Sequence, residues 1–134
     1  MSGSTPGLAQ PRILVVNDDR RLAASVQGLL IDEGYDVAVA FDGNEALLVL
    51  AQWTADLVLL DLIMPGVDGW SFLRKLSRQA DRDQPLVLVW SVVEGDALAR
   101  ARQLGAAECL RRETTDPDAL LEAIARLLHA PRAV

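Results

Sequence analysis

Five short runs of unbroken apolar residues recur along this chain. They are Ile13-Leu14-Val15-Val16, Val37-Ala38-Val39, Leu57-Val58-Leu59-Leu60, Leu86-Val87-Leu88-Val89 and a shorter run that includes Cys109 and Leu110. None alternates with polar residues, so each predicted strand is buried on both faces, as in a parallel sheet with helices on either side. Amphipathic segments separate the runs. Leu22, Val26, Leu29 and Leu30 recur at helical spacing, and Gly34 sits where a helix C′ glycine belongs. Asp42 stands three places before Glu45 and ahead of Leu47 and Leu50, a helix start. Asp68 is expected to cap a helix carrying Phe72, Leu73 and Leu76. Leu98, Ala101 and Leu104 mark a fourth helix that ends at Gly105. Asp116-Pro117 opens a fifth, with Leu120, Ile124, Leu127 and Leu128 on one face. The expected fold class is α/β: a (βα)5 doubly wound, five-stranded parallel sheet. Ligands in such sheets bind beyond the carboxyl ends of the strands, at a topological switch point.

The 134 residues suffice for one domain. Residues 1–11, small, polar and rich in Pro and Gly, read as a flexible leader; 12–130 as the folded domain; 131–134 as a short tail. No second domain is expected. The 13 Lys and Arg against 19 Asp and Glu leave a net charge of −6, which argues against a nucleic-acid surface and against a polybasic membrane patch. One cysteine, Cys109, excludes an internal disulfide and a Cys-cluster zinc site. One histidine, His129, near the end of the chain, leaves no His-rich metal centre. No apolar run approaches a membrane span, and no secretory signal is visible, so the cytoplasm is the expected location.

The informative residues stand where strands end. Asn17-Asp18-Asp19 follow the first run and Asp61 the third, which a parallel sheet brings to one edge. Two carboxylates there would each resist ionisation unless a cation joined them, and Mg²⁺ suits one or two carboxylates plus water. The alternative is capping: Asp18 or Asp19 can cap the first helix. Asp61 has no obvious helix to cap, since Leu62-Ile63-Met64 follows it.

The stretches ILVVNDD, DLVLLDLIMPGVDGW, PLVLVWS and LGAAECLRRE resemble the receiver domain of two-component response regulators, over about residues 12–129. The most specific part is Asp61-x-x-Met64-Pro65-x-x-Asp68-Gly69. The resemblance implies a flavodoxin-like fold and a phosphoryl group received from a histidine kinase on the aspartate after the third strand, here Asp61. It implies Mg²⁺ held by Asn17, Asp18, Asp61 and the Ile63 carbonyl. A phosphoacceptor of this kind signals to a downstream protein through protein–protein contacts and is not an enzyme in its own right. The alternative is a pseudo-receiver, a binding module that works without phosphorylation. Phosphatases of the haloacid dehalogenase type carry a second aspartate two residues after the nucleophile, and here that residue is Ile63.

The chain leaves the family pattern in three places: after the first strand, at the end of the fourth, and along the fifth. Asn17 stands where an acid is usual, keeping an oxygen ligand but losing a charge. The hydroxyl residue expected at the end of the fourth strand falls on Trp90, five residues after Pro85 and fifteen before Gly105, with Ser91 next to it. The indole is expected at the rim of the acidic pocket, its N–H on acidic acceptors. The rival arrangement turns Trp90 away under the fourth helix and leaves the phosphoryl contact to Ser91, by way of a strand slip or bulge. The family's Lys-Pro falls on Arg112-Glu113, so Arg112 either pairs with Asp61 or is a solvated strand-end residue. The family's switch aromatic falls on Cys109, read as a small buried filler.

Overall fold

The computed structural model describes residues 10–64, 69–78, 84–92 and 95–129. The leader up to residue 9, the tail from 131, and the Asp68 cap lie outside the described residues. The strands are β1 (Arg12–Val16), β2 (Asp36–Ala40), β3 (Leu57–Leu60), β4 (Leu86–Ser91) and β5 (Glu108–Arg111). The helices are α1 (Arg20–Asp32), α2 (Gly43–Gln52), α3 (Gly69–Arg78), α4 (Asp96–Gln103) and α5 (Pro117–His129). A 3₁₀ turn, Arg112–Thr114, joins β5 to α5.

All pairings are parallel, in the order β2-β1-β3-β4-β5. Successive side chains point to opposite faces, which explains why the runs are apolar throughout. Ile13, Val15, Leu57, Leu59 and Leu88 pack with Ala23, Val26 and Leu30 of α1 and with Leu120 and Ile124 of α5. Leu14, Val16, Val58, Leu60, Val87 and Val89 pack on the other face with Ala46 of α2, Phe72, Leu73 and Leu76 of α3, and Ala101 of α4.

The helix ends follow local chemistry. Gly34 (φ 95°) and Gly105 (φ 111°) take the left-handed conformation that ends α1 and α4. At the first, Gly34 N–H donates to the Ile31 carbonyl and Tyr35 N–H to that of Leu30, closing a Schellman motif. Asp42 accepts from Glu45 N–H at 2.8 Å, and Asp116 from Ala119 N–H at 2.8 Å. The chain order reverses between β1 and β3, so their carboxyl ends form the switch point, and Val16 is paired with Leu60 there.

Candidate functional site

Asn17, Asp18 and Asp19 leave β1 at this edge and divide the work. Asp19 caps α1, its Oδ1 accepting from Arg21 N–H and Leu22 N–H, each at 3.1 Å. That settles which acid caps the helix, and it leaves the exposed Asp18 carboxylate with no hydrogen bond or ion pair among the described residues. Asn17 is buried, and its Oδ1 accepts from Asp19 N–H at 2.9 Å.

Asp61 follows β3 one step beyond the Val16–Leu60 pair, and its N–H donates to the Val16 carbonyl at 3.0 Å. It is 6% exposed, and donors meet both its oxygens. Oδ1 accepts from the Ser91 hydroxyl at 2.7 Å and from Ile63 N–H at 3.1 Å. Oδ2 faces Nη2 of Arg112 at 3.2 Å. A buried carboxylate needs such partners, and here a hydroxyl, an amide and a guanidinium supply them. Gly69, the first residue of α3, lies against its backbone. A Cβ there would collide with the Asp61 carbonyl oxygen and come within 2.5 Å of Leu62 Cα. The backbone at the start of α3 thus lies directly on the backbone of the acceptor, and Gly69 N–H donates to the Leu62 carbonyl at 3.2 Å. Sequence reasoning placed this glycine in a motif but did not see its steric role.

Trp90 and Ser91 part company because β4 stays in register. Trp90 is paired with Leu110 and Ser91 with Arg111, so no slip or bulge is needed. Trp90 joins the cluster facing α1 and α5, and the fully buried Ser91 takes the other side and reaches Asp61. The expectation for Trp90 is corrected in one respect. It does line a narrow crevice with Asn17 and Asp61, but its Nε1 has no acceptor among the described residues. An acidic acceptor is not what holds the indole; packing is. The rival arrangement, burial under the fourth helix, is also not what is seen. Arg112 is no solvated strand-end residue. Besides Asp61, its Nη2 donates to the Trp90 carbonyl at 3.4 Å, and its Cζ lies 5.0 Å from the Trp90 ring centroid. Cys109 is buried, its Sγ 3.5 Å from the Leu98 carbonyl. Burial pushes its thiol pKa up, against a smaller lowering by Arg102.

The family model described as the response regulator receiver domain matches residues 13–125. The chain belongs to that family. The receiver domain of a response regulator from Bermanella marisrubri has a similar structure, with a TM-score of 0.83 and 34% identity over 90% of this chain and 100% of that one. A Francisella response regulator receiver domain gives a TM-score of 0.81 at 28% identity, covering 89% of this chain and 97% of that one. Among curated proteins, the transcriptional regulatory protein DltR of Streptococcus agalactiae is 40% identical over 78 residues, 58% of this chain and 34% of DltR. The DNA-binding response regulator MtrA of Mycobacterium tuberculosis is 45% identical over 78 residues, 58% of this chain and 33% of MtrA. The chain therefore spans about a third of the length of the curated relatives it matches.

Receiver domains are signalling modules of two-component systems, and the family generally binds Mg²⁺ at its phosphorylation site. The donors at this receiver's edge fit that ion. The Asp18 and Asp61 carboxylates, the Asn17 amide oxygen and the Ile63 carbonyl are all hard oxygens, and two carboxylates with water at the remaining positions is an arrangement Mg²⁺ favours. Among the described residues no group of three or more Asp, Glu, His or Cys side chains is placed to hold a metal ion. With Asn17 where an acid is usual, this set of donors carries one negative charge fewer than the same set with an acid at that position.

Proposed function

We propose that Asp61 accepts a phosphoryl group from the phosphohistidine of a histidine kinase or phosphotransfer protein, and that the domain signals through protein–protein contacts. The observation that carries this reading is the Asp61 carboxylate at the switch point, with the Ser91 hydroxyl on one oxygen and the Arg112 guanidinium on the other. A carboxylate oxygen attacks phosphorus, the P–N bond to the donor histidine breaks, and an aspartyl phosphate results. Ser91 and Arg112 then turn their donors from the carboxylate to the phosphoryl oxygens, so little reorganisation is needed. Asn17, Asp18, Asp61 and the Ile63 carbonyl would hold Mg²⁺, which when bound neutralises charge on the phosphoryl oxygens. The net charge of −6 supports a protein rather than a nucleic acid as the partner of this domain, and we place its action in the cytoplasm. Among the described residues no helix is long and apolar enough to cross a membrane.

A second reading, a binding module that works without phosphorylation, draws support from the donors already on both Asp61 oxygens. Intact mass after incubation with acetyl phosphate and Mg²⁺ separates the two. A phosphoryl adduct on the wild type that is absent in Asp61→Asn supports the acceptor, and no adduct on the wild type supports the module.

A further inference from the structure

Trp90 and Arg112 are the two positions where the chain departs most from the receiver pattern, and the structure places them in contact. Arg112 Nη2 lies 3.2 Å from Asp61 Oδ2 and 3.4 Å from the Trp90 carbonyl oxygen, and its Cζ is 5.0 Å from the centroid of the Trp90 ring. The ring itself is packed into the core. Trp90 is 8% exposed and belongs to the cluster with Ala23 and Val26 of α1 and Leu120 and Ile124 of α5.

The indole N–H does not explain the choice of residue. Nε1 is buried with no acceptor among the described residues, so this donor is a net cost that a Leu or Phe would avoid. What the indole adds is its π-face, the best of the aromatic side chains for a cation. Arg answers that face better than Lys, because a planar guanidinium stacks while still forking toward a carboxylate. The two departures are therefore one device. Resting on the acceptor reading of Asp61, we propose that Trp90 is a positioning residue: its ring and its carbonyl hold the Arg112 guanidinium on the acceptor carboxylate. Ser91, one residue on, supplies the hydroxyl that Trp90 lacks.

The test is a double-mutant cycle on phosphorylation by acetyl phosphate with Mg²⁺. Trp90→Leu should lower the saturated rate about fivefold to tenfold with little change in the half-saturating concentration, because a loosened Arg112 weakens positioning rather than donor binding. Trp90→Phe, which keeps a ring face, should recover most of that loss. In an Arg112→Gln background Trp90→Leu should cost nothing further. An equal loss in both backgrounds would mean that Trp90 acts only through packing, and would overturn the proposal. A second readout needs no phosphorylation. In a Trp53→Phe/Trp70→Phe protein, where Trp90 is the sole tryptophan, Arg112→Gln should change its emission. Unchanged emission would overturn the proposal. If the wild type takes no phosphoryl group, the acceptor reading fails, and this emission comparison alone decides the positioning role. It also decides should Trp90→Leu fail to fold.

Discussion

Ser91→Ala is the sharpest test of how the acceptor is held. The substitution removes one oxygen from a fully buried position. That oxygen donates to Asp61 Oδ1 at 2.7 Å and accepts from Leu62 N–H at 3.4 Å. The first bond is short and runs to the carboxylate that pairs with Arg112, and charge-assisted bonds contribute about 1.5–3 kcal/mol. The second is at the limit of useful length and adds little. Ile63 N–H remains on Oδ1, so the oxygen is not wholly stripped. The expected loss is therefore about 2 kcal/mol, a large share of the ~5–15 kcal/mol typical of a domain. Urea unfolding should show a lower midpoint with an unchanged slope. In an Asp61→Asn background the same substitution should cost only about 1 kcal/mol or less, the value of a neutral pair. A loss in the wild-type background below about 0.5 kcal/mol, or the same loss in both, would falsify the charge-assisted bond between Ser91 and Asp61.

Gly69→Ala should destabilise the fold by about 2 kcal/mol or more, because its Cβ meets backbone that cannot yield as a side chain would. Urea unfolding measures this, and a neutral result would mean the α3 start does not lie on Asp61 as described. Asn17→Asp should tighten Mg²⁺ binding in calorimetry by adding a carboxylate beside Asp18. If binding does not tighten, Asn17 is not near the metal. Cys109 should alkylate slowly in the native protein near pH 8, since burial raises its thiol pKa and thins the reactive thiolate. Labelling as fast as in urea would contradict its buried place against Leu98.

Much of the fold is legible because double-sided burial writes a parallel strand as a continuous apolar run, and β3 falls on Leu57–Leu60 as its run predicts. The β4 boundary is less so. The apolar run stops at Val89, yet backbone pairing with β5 carries the strand through Trp90 and Ser91. Family spacing points to Trp90 as the hydroxyl position and leaves Ser91 dependent on a slip. Strand alternation resolves this, since Leu88 and Trp90 share a face and Ser91 must take the other. Capping chemistry alone cannot choose between Asp18 and Asp19, because adjacent acids differ only in which one meets the free amides of α1. Arg112 is likewise undecided by pattern, since an arginine at a strand end reads the same whether it faces water or Asp61. The closeness of Gly69 to Asp61 has no local signal at all, being a contact between the backbones of two residues set apart in sequence.

The acceptor itself can be read chemically. An aspartyl phosphate is an acyl phosphate, and borohydride reduces it to the alcohol, turning the aspartate into homoserine. We predict that the wild type, treated with acetyl phosphate and Mg²⁺ and then with borohydride, gives homoserine at position 61 in peptide mass mapping and at no other carboxylate. Homoserine at Asp18 or Asp19, or none anywhere, would contradict Asp61 as the phosphoacceptor.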